Sequence, residues 1–325
     1  MKTILITGGC GYVGSRVAKV LVDAGEKVIV VDKATPEERN ADLPASVEFR
    51  QVNLVDPVKT KEALRGADVI LHLAANIGPL TYMRDHQAEI LEENTAIDAS
   101  VYPALREVGM PPIIYSSSSM VFQKSQVYPY RESDLDTVLL PTNVYGFSKL
   151  TGEYFCKAAK EQYGQKYTII RYHNIYGPGE DSKGSSPGDI HVIPALIDKV
   201  LSGQYPLVFL GSVEATRPFT YVDDAVDATV ALVRKVLEGD TNVINNDFNI
   251  GPNEATKILD LGKRIWDLLG DGRPFEYQLE KSTAITADRR EMIADKLVDV
   301  TGWQPKVSLD EGIQKTAEWI KNRKS

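Results

Sequence analysis

Ile4-Leu5-Ile6-Thr7-Gly8-Gly9-Cys10-Gly11-Tyr12-Val13-Gly14 decides how the rest of the chain is read. A short apolar run breaks into glycines at 8, 11 and 14, and the amphipathic stretch from Ser15 to Asp23 follows at once. The pattern is that of a buried strand, a tight turn and a helix. Gly8 permits the backbone angles of the turn, Gly11 lets the main chain approach a pyrophosphate without an intervening Cβ, and Gly14 allows the helix to pack closely on the strand. The helix N-terminus then presents free N–H groups and a partial positive charge to the phosphates.

Three glycines at this spacing recur by chance, so the context carries the specificity. Lys27-Val28-Ile29-Val30-Val31 reads as a second buried strand, and it ends in Asp32, an acid placed to bind a ribose 2′-hydroxyl. A 2′-phosphate would face that carboxylate. Asp32 therefore favours NAD over NADP, and Lys33 beside it weakens the preference slightly.

Apolar strands alternate with helical stretches through the first half, which predicts an α/β chain with a Rossmann-type, doubly wound parallel sheet. The expected strands after Asp32 are Val47 to Val52, Val69 to Leu73, Ile113 to Tyr115 and Tyr167 to Arg171, with helices near Val58 to Leu64, Gln87 to Val108 and Asn143 to Tyr163. Beyond Asn174 the alternation loosens. A dinucleotide-binding domain over 1–174 and a smaller, mixed α/β substrate lobe over 175–325 are expected, with segments of about 218–250 partly returning to the first sheet. The later expected pieces are helices at His191 to Leu201, Ala225 to Leu237, Ala255 to Leu269 and Leu309 to Lys321, and a strand at Asp247 to Ile250. Gly179 to Asp189, rich in Gly, Ser, Pro and Asp, reads as a mobile loop that orders over a ligand.

With 325 residues and 43% hydrophobic content, the chain can bury one large core or two lobes. Its net charge of −8 and the lack of any basic run argue against a nucleic-acid or membrane-surface partner. An anionic substrate would then need local arginines. Two cysteines, Cys10 and Cys156, make no disulfide framework and suit a reducing compartment. The N-terminal apolar run is too short for a signal peptide, and no stretch approaches the roughly 20 apolar residues of a membrane span, so a cytoplasmic protein is expected.

Tyr145 and Lys149, four residues apart on an expected helix, share one face. For a tyrosine to act as a base near neutral pH its pKa must fall by about three units, roughly 4 kcal/mol of preference for the phenolate. A neighbouring ammonium and a nicotinamide cation can supply it. At the end of the preceding strand, Tyr115-Ser116-Ser117-Ser118-Ser119-Met120 places hydroxyls where carboxyl ends of strands line a ligand crevice.

These motifs, with His72-Leu73-Ala74-Ala75, Asn94, Arg171-Tyr172-His173-Asn174-Ile175-Tyr176-Gly177-Pro178, Arg217 to Asp224 and Gly302-Trp303-Gln304-Pro305, resemble the extended short-chain dehydrogenase/reductase family, and within it the nucleotide-sugar epimerases and dehydratases. The resemblance implies that Ser118, Tyr145 and Lys149 form a catalytic trio. It implies that Gly8, Gly11, Tyr12, Val13, Gly14, Asp32, Lys33, Asn53, Leu54, Leu73, Ala74, Ala75, Asn94, Ser116 and Tyr172 join Tyr145 and Lys149 around NAD. It further implies that Ser118, Ser119, Asn174, Val192, Arg217 and Arg289, with Arg290 as the alternative to Arg289, hold the nucleotide-diphosphate sugar. No metal site is expected. Family members usually form homodimers through a four-helix bundle, here expected at Gln87 to Val108 and Asn143 to Tyr163.

Departures from the family pattern narrow the chemistry. The 4,6-dehydratases carry Asp-Glu after the catalytic Ser/Thr, where this chain has Ser119-Met120. The stretch Ala74 to Gly78 is similar to GDP-mannose 3,5-epimerase, but that enzyme uses a cysteine where Met120 stands. Neither Ser119 nor Met120 can do those steps, so the expected activity is NAD-dependent inversion of C4 of an NDP-hexose or NDP-uronic acid through a 4-keto intermediate. The alternatives are an NDP-sugar dehydratase or reductase and, in another class, a non-catalytic dinucleotide sensor.

Overall fold

The structure, a computed structural model, describes residues 2–78, 80–180, 191–281 and 287–324. Its first half alternates β1 (Thr3–Thr7), α1 (Gly14–Asp23), β2 (Lys27–Asp32), α2 (Pro36–Arg39), β3 (Glu48–Gln51), α3 (Pro57–Ala63), β4 (Val69–His72), α4 (Leu80–Asp85), α5 (Gln87–Glu107), β5 (Ile113–Ser118), α6 (Val144–Tyr163) and β6 (Tyr167–Tyr172). The remainder holds β7 (Ile175–Tyr176), α7 (Val192–Leu201), β8 (Leu207–Leu210), β9 (Thr216–Arg217), β10 (Thr220–Tyr221), α8 (Val222–Glu238), β11 (Asn246–Ile250), β12 (Thr256–Lys257), α9 (Ile258–Leu269), β13 (Tyr277–Glu280), α10 (Asp295–Thr301) and α11 (Leu309–Lys324).

Seven strands form one sheet in the order β11-β6-β5-β4-β1-β2-β3, and every pairing in it is parallel. Leu5 lies opposite both Ile29 and Ile70, which sets β1 at the centre. Alternate residues feed opposite faces, as the period of a strand requires. Ile4, Ile6, Val28, Val30 and Leu71 pack with Val17 and Leu21 of α1 and Ala225 and Val233 of α8. Leu5, Ile29, Val31, Ile70 and Ile113 pack with Leu64, Val101 and Leu105 on the other side. Strand order reverses between β1 and β4, so their carboxyl ends open the crevice where such sheets bind ligands.

Pairing with β6 extends β5 past Tyr115, so that Ser116, Ser117 and Ser118 stand opposite Ile170, Arg171 and Tyr172. Serine has little strand preference of its own, and the neighbouring strand decides the matter. The pair β8–β13 joins residues distant in sequence and was not expected, nor were α4 and α10. The segment expected as a mobile loop lies, from residue 181 to 189, outside the described residues. Among the described residues, no helix is long and apolar enough to cross a membrane.

One close approach fixes the helices on the sheet. Thr7 Oγ1 lies 2.6 Å from His72 Nδ1, His72 Nε2 lies 3.2 Å from Asp98 Oδ1, and the Tyr115 hydroxyl donates to Asp98 Oδ2 at 3.3 Å. A Cβ at Gly152 would stand 1.9 Å from the Tyr115 hydroxyl and 2.6 Å from Asp98 Oδ2. Gly152→Ala should therefore push α6 off the Tyr115–Asp98 pair and destabilise the fold by about 1–3 kcal/mol, the usual effect of overpacking. Urea denaturation of the variant measures this, and unchanged stability would refute it.

Candidate active site

The turn after β1 is built for close contact. Gly8 has φ +67° and donates its N–H to the Val31 carbonyl at 2.8 Å. A Cβ there would lie 2.8 Å from the Ala74 main chain, and one on Gly14 would lie 2.6 Å from the Gly8 carbonyl oxygen. Gly11, Tyr12 and Val13 are half-buried, and the Arg16 guanidinium lies over the Tyr12 ring, 4.6 Å from its centroid. Asp32 Oδ2 accepts from the Cys10 N–H and Oδ1 from the Ala34 N–H, each at 3.0 Å. The carboxylate is thereby locked beside the glycine turn. This cradle, together with the acid at the end of β2, fits a dinucleotide pyrophosphate and ribose.

Leu73 and Ala74 donate their N–H groups to Thr7 O and Oγ1, at 3.1 and 3.3 Å, and Ala75 follows half-buried. Leu54 is buried, and exposed Asn53 turns its Oδ1 towards the Val55 N–H at 3.3 Å. Lys33 pairs with Glu93 on α5 at 2.5 Å. Asn94 clamps Asn76: its Oδ1 accepts from the Asn76 N–H at 2.6 Å and its Nδ2 donates to the Asn76 carbonyl at 3.1 Å and to Ser148 Oγ at 3.0 Å. The main chain of Tyr172 pairs with Ser118, while its hydroxyl turns to Thr229 on α8, 2.7 Å away.

Asn143 caps α6 by accepting the Gly146 N–H at 3.0 Å, and this start delivers Tyr145 and Lys149 to the buried face. The Ser118 hydroxyl stands beside the Tyr145 phenol. Burial pushes the Tyr145 pKa well up, and the Ser118 hydroxyl opposes the shift. Lys149 Nζ donates to the Ser116 carbonyl at 2.8 Å. Burial pushes its pKa down to about 8, opposed by the carboxylate of Asp98, so the group remains mainly an ammonium at neutral pH. Ser118 Oγ also accepts the Met120 N–H at 3.2 Å, and Ser119 is buried beside it. Against Tyr145 pack Ile90 and Met120, with Tyr82 and Met83 at the edge.

A second polar cluster lies beyond β6. Asn174, at φ +41°, donates to the Pro218 carbonyl at 3.0 Å and accepts from Arg290 Nη1 at 3.2 Å. Arg217 is buried, donating to the carbonyls of Thr216, Asp288 and Ala287. Burial first, and the Arg290 cation next, push its pKa down to about 9. Arg289 faces outward, forks onto Glu291 at 2.7 Å and lies over the Tyr128 ring. Arg290, rather than Arg289, thus stands with Asn174 and Arg217. Neighbouring residues of an extended segment point opposite ways, and sequence alone does not say which points in. Val192 opens α7 and packs on the main hydrophobic core. Glu93, Tyr82 and Asn94 meet at Asn76, and the first two and Asn76 were not expected as site residues; the sequence signs were that Asn76 lies in the Ala74 to Gly78 stretch and that Glu93 precedes Asn94.

The chain matches the NAD dependent epimerase/dehydratase family over residues 4–251. It belongs to that family. It is 28% identical to a putative UDP-glucose 4-epimerase of Methanocaldococcus jannaschii, covering 98% of each chain. It is 30% identical to a UDP-N-acetyl-alpha-D-glucosaminuronate decarboxylase of Bacillus cytotoxicus, again over 98% of each. The solved structure of UDP-glucuronic acid 4-epimerase from Bacillus cereus, in complex with UDP-glucuronic acid and NAD, superimposes with a TM-score of 0.83 at 25% identity, covering 99% of both chains. The protein is thus an NAD-dependent family member whose relatives act on nucleotide sugars.

His173, in the family's Arg171 to Pro178 run, has a structural position. Its Nε2 faces the Tyr130 hydroxyl at 3.1 Å and its Nδ1 the Arg171 carbonyl at 3.0 Å. Burial drives its pKa down to about 3; the Arg171 carbonyl opposes this and the Arg290 cation adds to it. The folded value lies below the unfolded one, so the unfolded chain takes the proton first and stability falls as pH drops through the ordinary histidine range. Between about pH 7 and about pH 5, the wild type should lose about 2 kcal/mol more than His173→Gln. Paired urea titrations check this, and equal losses in the two proteins would sink it.

Proposed function

We propose that the protein inverts C4 of an NDP-hexose or NDP-uronic acid through a 4-keto intermediate. One observation carries this reading. Tyr145 meets Ser118 with Lys149 one turn away, and the side chain beside them at position 120 is a methionine packed on the tyrosine ring. Removing a hydroxyl proton needs only the first three groups. Expelling water, or moving a proton on carbon, needs a further acid or base, and Met120 is neither.

NAD held in this crevice would supply a hydride acceptor and donor for C4 and a positive ring beside Tyr145. Tyr145 takes the proton of the 4-hydroxyl and gives it back, with Ser118 holding the same oxygen. The Lys149 ammonium supports the phenolate and holds the nicotinamide ribose. Gly11 to Gly14 and the N-terminus of α1 receive the pyrophosphate, while Asp32 binds the adenosine ribose. Arg217 and Arg290 take the sugar nucleotide's diphosphate, with Asn174 between them. The Arg290 cation disfavours the charge on buried Arg217, and a dianion between them would favour both, which supports that assignment. The same reading places the protein in the cytoplasm as a homodimer through α5 and α6, where Phe147 and Tyr154 are exposed on one helical face.

The decarboxylase relative supports a second reading. A 4-keto uronic acid is a β-keto acid: its C5–C6 bond can break to release carbon dioxide and a C4 enolate, which would take a proton from water at C5 before C4 is reduced again.

Purified protein given UDP-, GDP-, dTDP- and CDP-sugars without added NAD should yield a product of unchanged mass with inverted C4 proton couplings. Loss of water or carbon dioxide, or turnover only with added NAD(H), would overturn the epimerase reading. Tyr145→Phe should lower kcat by about 10²–10⁴-fold while keeping bound NAD. Arg290→Ala should raise KM about tenfold or more, the scale of a lost charged hydrogen bond, whereas Arg289→Ala should leave KM nearly unchanged. The reverse order in steady-state kinetics would return the diphosphate contact to Arg289.

A further inference from the structure

The outlet of β2 carries both signals by which dinucleotides are told apart. An acid there accepts the ribose 2′-hydroxyl of NAD, and a nearby cation accommodates the 2′-phosphate of NADP. Asp32 and Lys33 stand at adjacent positions. Asp32 is held in place by the Cys10 and Ala34 N–H groups. The Lys33 side chain is directed elsewhere: it crosses to α5 and meets Glu93 Oε1 at 2.5 Å.

Glu93 is itself anchored. Its Oε2 accepts from Asn76 Nδ2 at 2.8 Å, and Asn76 is held by Asn94 through both main-chain groups and by the Tyr82 hydroxyl, which donates to Asn76 Oδ1 at 3.1 Å. At the other end, Gln51 Nε2 donates to the Lys33 carbonyl at 3.3 Å. The two side chains of the ion pair are 49% and 23% exposed. Solvent screening leaves such a pair about 0–1 kcal/mol of stability, so its consequence is local: it settles where the lysine charge sits.

We propose that Glu93 is a specificity-determining residue for the cofactor. By engaging Lys33 it withholds the one cation adjoining Asp32 in sequence from a 2′-phosphate. The preference for NAD therefore rests on residues 32, 33 and 93 together. The inference depends on the dinucleotide site and not on which sugar carbon reacts.

The test reads bound nucleotide rather than turnover, so its failure is separable from failure of the epimerase reading. Wild type, Glu93→Gln and the Lys33→Ala/Glu93→Gln double variant are equilibrated with an equimolar mixture of NAD and NADP, re-isolated by gel filtration, and their nucleotides quantified by chromatography. Glu93→Gln should raise the bound NADP-to-NAD ratio about tenfold, the scale of one charge-assisted hydrogen bond, and the double variant should lose most of that gain. A ratio within about twofold of wild type, or a gain that survives removal of Lys33, would overturn the proposal. So would equal loss of both nucleotides, which would make Glu93 a support for the Asn76 segment only. Circular dichroism confirms that each variant is folded.

Discussion

A buried ion pair aligns α6 with the sheet. Arg171 of β6 and Glu153 of α6 are both fully enclosed, and the guanidinium forks onto the carboxylate at 2.8 and 2.7 Å. Ser117 of β5 donates to the same carboxylate at 2.5 Å, and Asp247 of β11 reaches the far side of the guanidinium at 2.8 Å. Three adjacent strands and one helix therefore meet at a single charge cluster. Desolvation offsets most of the attraction in such a pair, so its value lies in geometry rather than net stability. Any other register of α6 would leave a charge buried without its partner. Glu153 lies on the same helical face as Tyr145 and Lys149, so fixing the one places the others against Ser118 and Ser116.

Local signals in the sequence were enough for the glycine turn, the parallel alternation and the Tyr145–Lys149 face. Each rests on spacing within one element, and the structure brings Ser118, Tyr145 and Lys149 together at the end of β5. What stayed hidden depends on contacts between distant segments. The choice of Arg290 over Arg289 follows from the pairing of residue 289 with Thr216, which nothing near either residue announces. The β8–β13 pairing and the Lys33–Glu93 bridge are likewise tertiary facts. Arg171 belonged to a legible motif, but its enclosure by Glu153 and Asp247 was not legible.

Polar groups near the crevice divide into those that hold and those that react. His72, Asp98, Thr7 and Tyr115 satisfy one another behind the strands, and Cys156 is engaged with the Tyr102 hydroxyl at 2.8 Å. Cys10 is buried in the glycine turn, where burial and the Asp32 charge push its thiol up to about 12. Neither thiol serves as a base at neutral pH. Under the proposed function the proton route then runs through Tyr145 and Ser118, with Ile90 and Met120 packed against the tyrosine.

Burial acts on the two members of that route in opposite directions. It disfavours phenolate at Tyr145 and ammonium at Lys149, so on raising the pH the protein's own groups release the lysine proton before the tyrosine proton. Lys149 anchored on the Ser116 carbonyl is thus not by itself sufficient to make Tyr145 a base. On the proposed function, the phenolate would form where further positive charge adjoins it, in the loaded site. A tyrosine protonated until the crevice is filled would then spare stray hydroxyls, and Lys149 would keep its ammonium below about pH 8.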